Sequence, residues 1–354
     1  MRDFYIQWKN RYIKNVPGKA QSYVWFEDKD GKQCVSEGQG YGMMITALMA
    51  GKNGVAKATY DNLYRYYKAH PGTRNKYLMA WAQKNDGTDL DKSSASDGDI
   101  DIAYSLLLAS KQWGNKGDIN YLQAAKAMIN AIMQDEINHK TWTVLISDAV
   151  EEESKDYFAT RSSDFMPAHF KAFLHATNDA RWTKVVNAGY NLFSYLQDNY
   201  SPDAGLLPDF IINLNKKPKP AGPHFLESQY DGEYNYNACR DPWRIATDYL
   251  MTGDKRSKNI AGKINRWVRE TTNNDTYNLS AGYTLAGNDI KHRYFEALSF
   301  VAPFAVSAMV DRKNQQWLNH VWDYLTGFKL KDYDYYDNSI KLIDMIIISG
   351  NYWQ

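Results

Sequence analysis

Two short segments of the chain place carboxylic acids where an apolar helix begins. SEGQGYGM carries Glu37 among glycines spaced by two, with Tyr41 close behind it. ASDGDIDIAYSLLLA alternates three acids, Asp97, Asp99 and Asp101. An acid at a helix N-terminus often serves only as a cap or as a partner of the helix dipole, and for any one of these aspartates that role is favoured. Three alternating acids exceed what capping needs, so we expect one of them to point into a groove.

A third segment, HFLESQYDGEYNYNACRDPWR, combines acids with aromatic residues ahead of a helix that a proline begins. Its glutamates, Glu227 and Glu233, are candidates for acid–base chemistry if the fold brings them near the first two segments. No HExxH motif or comparable histidine pair occurs, and His169, His224 and His292 are scattered along the chain. We therefore predict neither a metal nor any other cofactor.

Composition narrows the class of ligand. With a formal net charge of +1 over 354 residues, the chain has no basic surplus that would favour nucleic acid or a membrane surface. Aromatic residues make up 14 %, including 27 Tyr and 11 Trp. Rings that stack and carry a hydrogen-bonding group suit sugars, although an aromatic core would explain the same count. Cys34 and Cys239 each lie near one of the acid-bearing segments, and two unpaired buried thiols are the favoured interpretation.

The dominant hydrophobic period is that of helices. Polar turns containing Gly or Asn recur every roughly 60 to 75 residues, beginning with GKNG at Gly51 and GNKGD at Gly114. This spacing fits two helices per unit and predicts five or six helical hairpins closed into one all-α toroid, a single catalytic domain over residues 1–354. Short strands are expected only in loops, for example in SYVWF (22–26) and TWTVLI (141–146).

The irregular stretches of the chain should build a groove at one end of this toroid. They are residues 143–165 and 198–240. No apolar run reaches the roughly 18 residues needed to span a bilayer. Met1 leads directly into charged and aromatic sequence without a leader peptide, which fits either a cytoplasmic protein or a mature secreted one.

The acid-bearing segments resemble a known family. SEGQGYGM, ASDGDIDIAYSLLLA and YNACRDPWRIATDYL closely resemble the signature segments of glycoside hydrolase family 8, and YYDNSIKLIDMIIISGNYW is similar to that family's last helix. The resemblance runs from about residue 20 to the C-terminus, with the motifs in the same order and spacing. It implies an (α/α)6 barrel, an inverting mechanism and endo-acting hydrolysis of β-1,4-linked polysaccharides.

The resemblance also implies roles for individual residues. Inverting hydrolysis needs one protonated acid for the leaving oxygen and one ionised acid that activates water, about 6.5–9.5 Å apart. Glu37 matches the family's general acid, which needs a raised pKa, and Asp97 matches the acid that holds the sugar at the cleavage point. The glycines around Glu37 would let a sugar chain approach the backbone. Further substrate-binding positions are matched by Tyr41, Trp81, Tyr236, Asn237 and Arg240. Of these, Trp81 could equally be a core residue on a helix face and Arg240 a structural partner of the acids.

The position of the catalytic base departs from the usual pattern of the family. Many relatives carry an aspartate where this chain has Asn237, and an amide cannot accept the proton. A branch rich in chitosanases and β-1,3-1,4-glucanases has asparagine there and a glutamate upstream as the base. We prefer Glu227 for this role because it follows a Pro/Gly-rich insertion, and Glu233 remains the alternative. Arg161 and Asp164 are interpreted as a pair that fixes a loop to a helix start.

The favoured hypothesis is a secreted, monomeric endo-hydrolase acting on chitosan. The acidic run EEES at Glu151 would attract a polycation if it faces the groove, although a solvated loop is the simpler interpretation. Mixed-linkage β-1,3-1,4-glucan is the rival substrate, and cellulose or xylan is a less favoured alternative. Two other classes remain open: a carbohydrate-binding protein without hydrolytic activity, and a polysaccharide lyase on a similar toroid.

Overall fold

The computed structural model describes residues 1–51, 54–290 and 297–353. Over these residues the chain forms twelve α-helices. Lys52 and Asn53 of the GKNG turn, and also His292, lie outside the described residues. The helices are α1 (Arg2–Tyr12), α2 (Ser36–Leu48), α3 (Val55–Ala69), α4 (Ser96–Trp113), α5 (Tyr121–Asp135), α6 (Pro167–Thr177), α7 (Arg181–Asn199), α8 (Asp241–Thr252), α9 (Lys255–Thr271), α10 (Leu298–Ala308), α11 (Gln315–Gly327) and α12 (Tyr335–Ile348).

The helices form two concentric rings. The even-numbered helices make the inner ring, in which each contacts the next until α12 closes against α2. Each inner helix from α2 to α10 packs against the odd-numbered helix that follows it, and the turns predicted from the sequence join these two members of each hairpin. The predicted (α/α)6 barrel is confirmed.

The two ends of the chain build the sixth hairpin together. Helix α1 packs on the outside of α12. The indole Nε1 of Trp8 donates to the Ser339 hydroxyl at 3.0 Å, and the Asn338 side-chain amide donates to the Tyr12 hydroxyl at 2.9 Å. The barrel therefore closes only when residues more than 300 positions apart have met. The single catalytic domain over residues 1–354 stays a prediction.

Inner and outer helices differ in how much of their surface is apolar. All of Leu298–Ala308 in inner helix α10 is buried, as expected for a helix enclosed on every side. Outer helix α9 buries one stripe, in which Ile260, Ile264 and Val268 recur every four residues. No helix of the described ranges is long and apolar enough to cross a membrane.

Much of the aromatic content belongs to the core. Trp8, Trp182 and Trp317 are fully buried on three outer helices, where they face the inner ring. Large aromatic side chains contribute strongly to burial, so these residues hold the two rings together. Cys34 and Cys239 are both buried and free, in agreement with the favoured interpretation from the sequence.

Short strands occur in the loops, as predicted. In the described residues they form one two-stranded and two three-stranded antiparallel sheets. The segment 22–26 supplies a strand, whereas 141–146 is a loop with one isolated bridge, between Ile137 and Val144. The strands are β1 (Ile13–Asn15), β2 (Ser22–Val24), β3 (Lys32–Val35), β4 (Ala82–Lys84), β5 (Asp89–Asp91), β6 (Thr160–Arg161), β7 (Phe210–Ile212) and β8 (Lys219–Pro220).

Glycine allows the N-termini of α2 and α4 to pack tightly. A Cβ atom on Gly98 would lie 2.6 Å from the carbonyl carbon of Ser36 and 2.7 Å from the backbone nitrogen of Glu37. A Cβ atom on Gly40 would lie 2.8 Å from Cβ of Asp101. Any larger residue at these two positions would push the helices apart, and with them the acids in their first turns.

The expectation that the glycines of SEGQGYGM leave room for a sugar chain is wrong. Gly38, Gly40 and Gly42 are all buried by the protein itself. A Cβ on Gly38 would clash with the Tyr335 hydroxyl at 2.5 Å, and one on Gly42 with Cγ2 of Val24 at 2.3 Å. These glycines serve close packing around α2.

We expect Gly98→Ala to lower the free energy of unfolding by about 1–3 kcal/mol, the usual cost of overpacking a tight site. The added methyl group would collide with backbone atoms of Ser36 and Glu37, which cannot rotate away. Urea unfolding followed by circular dichroism measures the effect. Gly117→Ala is the control, because no atom lies within 4 Å of the Cβ position there. Equal stability of the two variants would contradict this account of the α2–α4 contact.

Candidate active site

Arg240 lies where the first turns of several inner helices meet at one end of the barrel. It closes a 3-10 turn, Ala238–Arg240, that leads directly into α8. Neither α2 nor α4 has a side-chain cap, since the residues before them are Val35 and Ala95. The acids in their first turns, Glu37 and Asp97, are therefore available to face inward, where the helix dipoles favour negative charge.

The buried guanidinium of Arg240 gathers the acidic and polar groups of this end. Its Nη1 donates to Oε2 of Glu37 and to Oδ2 of Asp97, both at 2.9 Å, and contacts the Tyr41 hydroxyl at 3.3 Å. Its Nη2 donates to the Ser163 hydroxyl at 2.8 Å and to Oδ1 of Asn237 at 3.0 Å. Arg240 is thus a partner of the acids, as the more conservative interpretation from the sequence proposed.

Glu37 lies in a setting that favours a protonated carboxyl group. Its side chain is 18 % exposed, and its second oxygen, Oε1, accepts from the neutral hydroxyl of Tyr335 at 3.3 Å. Burial, opposed by the positive charge of Arg240 and assisted by the negative charge of Asp97, raises the pKa of Glu37 to about 7. A carboxyl group of this kind can still hold its proton near neutral pH.

Asp97 has the opposite character, although it shares the Arg240 donor with Glu37. Burial acts to raise its pKa, but the charges of Arg161 and Arg240 outweigh burial and lower the pKa to about 2. Nη1 of Arg161 lies 3.9 Å from the same Asp97 oxygen that Arg240 contacts. The site therefore contains two neighbouring acids of which one is held ionised and the other protonated.

Glu227 belongs to the same network and reaches it from a loop. Its Oε1 accepts from Nη2 of Arg161 at 3.1 Å, and its Oε2 accepts from Nδ2 of Asn237 at 2.7 Å. Its side chain is 45 % exposed, so water has access to the carboxylate. The buried Asp231 fixes the loop by accepting from the backbone N–H groups of Leu226, Glu227 and Ser228 at 2.7–2.9 Å.

The amide of Asn237 connects Glu227 to the Arg240 cluster. Its oxygen accepts from Arg240 while its nitrogen donates to Glu227, so three successive hydrogen bonds lead from Glu37 to Glu227. The backbone of this segment is held by Asp209, whose Oδ1 accepts from the N–H groups of Asn235, Asn237 and Ala238 at 2.7–3.1 Å. The Asn237 side chain therefore holds Glu227 and Arg240 in a fixed relation to each other.

Glu233, the alternative base, binds a neighbouring loop instead of the Arg240 cluster. Its Oε2 accepts from the backbone N–H of Leu285 at 2.7 Å, which ties two loops together. Its side chain is partly buried, and burial raises its pKa. These contacts favour a supporting role for Glu233 and leave Glu227 as the glutamate joined to the Arg240 cluster.

The predicted aromatic positions lie around this cluster. Tyr41 is fully buried and accepts from Arg240, so it supports the cluster from below. Trp81 is only half-buried and precedes β4, and its carbonyl accepts from the N–H of Ser36, next to Glu37. The interpretation of Trp81 as a core residue on a helix face is therefore wrong. Tyr236 is 40 % exposed and packs edge-on against Phe300.

The remaining acids of ASDGDIDIAYSLLLA point elsewhere. Asp99 accepts from the backbone N–H of Met79 and is buried beside other acids. Asp101 accepts from Nε2 of His169 at 3.1 Å and from Nη2 of Arg244 at 3.2 Å. Of the three aspartates, Asp97 is the one that contacts Arg240, as the resemblance implied.

Sequence reasoning missed several members of this site. Arg161 contacts Asp164 at 3.3 Å as predicted, but it also contacts Glu227. Tyr335 and Asp209 were not singled out. Tyr335 lies in the first turn of α12, and two acids of the site also lie in the first turns of helices. A search of helix N-termini in the sequence could therefore have identified Tyr335. No group of His, Cys, Asp and Glu in the described ranges could hold a metal ion.

Comparison with known proteins identifies the family. The family described as "Glycosyl hydrolases family 8" matches residues 3–350. A β-glucanase of Niallia circulans is 47 % identical over 348 residues, which cover 98 % of this chain and 83 % of that protein. An endoglucanase of Bacillus sp. (strain KSM-330) is 38 % identical over 372 residues, which cover 100 % of this chain and 76 % of that protein.

A solved structure agrees with this assignment. The apo structure of the β-1,3-1,4-glucanase from Paenibacillus sp. X4 has a TM-score of 0.94 and 46 % identity, and the match covers 100 % of this chain and 92 % of that one. The site and the barrel define a glycoside hydrolase. The chain belongs to glycosyl hydrolases family 8.

A buried acidic cluster behind the site gives a prediction about stability. Glu136 accepts from the Ser94 hydroxyl, and Asp99 lies close by. Burial is the main cause that raises the pKa of Glu136 to about 8, with the hydrogen bond from Ser94 acting against it and the charge of Asp148 acting with it. A glutamate in the unfolded chain has a pKa of about 4.3. The stabilising contribution of the protonated form is therefore fully present below that pH and is lost as the pH rises toward 8.

We expect Glu136→Gln to weaken this pH dependence, because the amide is neutral at every pH. Urea unfolding of the native chain and the variant at pH 5 and pH 8.5 measures the difference in stability between the two conditions. The native chain should lose more stability than the variant on going to pH 8.5. An equal loss in both would show that Glu136 does not hold a proton in the folded state.

Proposed function

We propose that this chain is an endo-acting, inverting hydrolase of mixed-linkage β-1,3-1,4-glucan, with Glu37 as general acid and Glu227 as general base. The observation that carries the proposal is the chain of hydrogen bonds from Glu37 through Arg240 and Asn237 to Glu227. It joins a mostly buried carboxyl group with a raised pKa to a half-exposed carboxylate. Inversion requires this pairing of a proton donor with a water-activating base.

Each acid has the surroundings that its proposed step requires. Glu37 keeps its proton through burial and through the negative charge of Asp97, and delivers it to the leaving glycosidic oxygen. Glu227 receives hydrogen bonds from Arg161 and Asn237, which orient its two oxygens. From that orientation it takes a proton from the attacking water, on the opposite face of the sugar.

Asp97 has a third role in this proposal. Its carboxylate stays ionised between Arg161 and Arg240, so it cannot supply the proton itself. It binds hydroxyl groups of the sugar at the cleavage point and keeps the pKa of Glu37 high. The exposed ring of Tyr236 and the half-buried ring of Trp81 offer stacking surfaces for neighbouring sugars.

Two observations favour β-glucan over chitosan, the substrate expected from the sequence. The relatives that are 38–47 % identical to this chain carry the names β-glucanase and endoglucanase. Two of the three glutamates in the acidic run that would attract a polycation are already paired, since Glu151 contacts Arg74 and Glu152 contacts Lys140. We further propose that the enzyme acts outside the cell, because a polymer of this size does not cross a membrane unaided.

The two glutamates are tested by substitution on a panel of polymers. Glu37→Gln and Glu227→Gln should each lower kcat on lichenan by roughly 10²–10⁴-fold, the usual contribution of an acid or base. Glu233→Gln is the matched control and should retain most of the activity, because its contact with Leu285 lies outside the Arg240 cluster. Release of reducing ends is measured on lichenan, chitosan and carboxymethylcellulose, and circular dichroism checks folding.

Each outcome of this experiment has a clear meaning. Faster release from chitosan than from lichenan would refute the proposed substrate. Loss of activity in Glu233→Gln with activity kept in Glu227→Gln would refute the proposed base. Binding of lichenan by the native chain without release of reducing ends would instead identify a carbohydrate-binding protein without hydrolytic activity.

The activity should also depend on pH in a way that the Glu37 environment sets. A general acid works only while it is protonated, and the pKa of Glu37 is raised to about 7. We therefore expect kcat/KM on lichenan to fall about tenfold per pH unit above roughly pH 7. A profile of kcat/KM from pH 4 to pH 10 measures this limb. A decline that begins below pH 5 would show that Glu37 titrates as an ordinary glutamate and does not hold the transferred proton.

A further inference from the structure

A second groove lies on the rim of the barrel, away from the Arg240 cluster. It is formed by the last turns of α11 and by the loop that follows α9, and its volume is about 590 Å³. Both aromatic and polar residues line this groove. We call this groove the Tyr277 groove, and its lining includes Asp275, Tyr277, His320, Asp323, Tyr324 and Phe328.

The Tyr277 groove opens at the same end of the barrel as the catalytic cluster. Helices α9 and α11 are outer helices, and the loops after them lead to the N-termini of α10 and α12. The first turn of α12 holds Tyr335, whose hydroxyl donates to Glu37. A series of ring contacts runs in that direction, from Tyr324 to Phe328 at 4.8 Å and from Phe328 to Tyr333 at 5.5 Å. A chain molecule lying in the groove would thus be on the face where cleavage takes place.

Tyr277 is presented to solvent on a well-supported turn. It is 58 % exposed, more than Tyr77 and Tyr236, the other exposed aromatic residues of the described ranges. Its backbone N–H donates to Oδ1 of Asp275 at 2.9 Å, which fixes the single 3-10 turn Thr276–Asn278. Its ring meets that of Tyr324 at 5.1 Å and 77°, so the two do not stack face to face and ring surface stays open. A fixed, open ring is a surface on which a sugar can stack.

The charges around the groove select a class of ligand. Asp275 and Asp323 line it together with His320, and none of the described residues that line it is Lys or Arg. Phosphate, sulfate or uronate polymers would meet negative charge there without a basic partner. A neutral chain rich in hydroxyl groups can stack on the ring and donate to the carboxylates, the combination of one apolar surface with a few polar groups that is typical of binding sites.

Another exposed tyrosine shows the contrast. Tyr77 is 38 % exposed, but the ammonium groups of Lys68 and Lys76 lie 5.2 Å and 5.4 Å from the centre of its ring. Ammonium groups at this distance are attracted to the face of the ring by cation–π interaction, so the ring of Tyr77 already has partners within the protein. No such contact with Tyr277 is found among the described residues. Tyr77 therefore serves as a matched control for Tyr277.

We propose that the Tyr277 groove is a second binding site for the neutral β-glucan chain, separate from the catalytic cluster. The identity of the chain rests on the proposed function, whereas the existence of the site rests on the groove itself. Binding there keeps a polymer attached while another part of it is cleaved, so the site raises the effective concentration of substrate at the cleft. A short oligosaccharide cannot reach both sites and gains nothing from it.

The test compares Tyr277→Ala with Tyr77→Ala in the full-length enzyme. Binding is measured by retardation in native gels that contain lichenan. For this assay Glu37→Gln is introduced into the native chain and into both variants, so that the polymer is not degraded; the rate assays use the enzymes without it. We expect Tyr277→Ala to weaken retardation about fivefold and to lower the rate on dilute lichenan by a few-fold. Its rate on a mixed-linkage tetrasaccharide should equal that of the native chain, and Tyr77→Ala should match the native chain in all three assays.

The outcomes separate this proposal from the proposed function. Unchanged retardation in Tyr277→Ala would overturn the second site while leaving the hydrolase intact. An equal loss of rate on the tetrasaccharide would also overturn it, because the groove would then belong to the catalytic cleft. Retardation in chitosan gels but not in lichenan gels would overturn the neutral ligand. If the native chain hydrolyses no glucan, the proposed function fails, whereas retardation by lichenan that depends on Tyr277 would still support the groove.

Discussion

The buried guanidinium of Arg240 is the interaction on which the site depends. Arg240 is only 1 % exposed, and a buried charge is costly unless opposite charges and hydrogen-bond acceptors surround it. Here the partners come from the first turns of α2 and α4 and from the segment before α8. The need to satisfy one cation therefore draws helix ends that are distant in sequence to a single point. The tight contact at Gly98 lets them come that close.

One cation shared by two acids would not by itself make them different. The difference arises because Asp97 also lies near Arg161, whereas the second oxygen of Glu37 faces the neutral hydroxyl of Tyr335. Two neighbouring carboxylates in a poorly solvated site resist being ionised together, so the remaining proton resides on the one with less positive charge around it. The acid with a raised pKa and the acid with a lowered pKa follow from this asymmetry.

The sequence was sufficient for features that depend on local rules. Helical periodicity and polar turns predicted the hairpins, and acids at helix starts pointed to Glu37 and to the run that contains Asp97, which the resemblance to the family then singled out. Contacts formed only in the folded barrel could not be predicted in this way: Arg161 meets Glu227 across 66 residues, and Tyr335 meets Glu37 across 298. The role of the glycines was misjudged for the same reason, since the groups packed against them come from other helices and from strand β2.

The asparagine at position 237 fits this electrostatic arrangement. Its amide offers an acceptor to Arg240 and a donor to Glu227, which an ionised carboxylate could not do because it has no donor. A carboxylate there would accept from Arg240 but would face Glu227 with a second negative charge at hydrogen-bonding distance. With the amide in place, the loop fixed by Asp231 can carry the proposed base at the water-exposed edge of the site, while the proposed acid remains in its drier interior. Separating the two tasks onto a loop and a helix start gives each carboxyl group the solvation that its step requires.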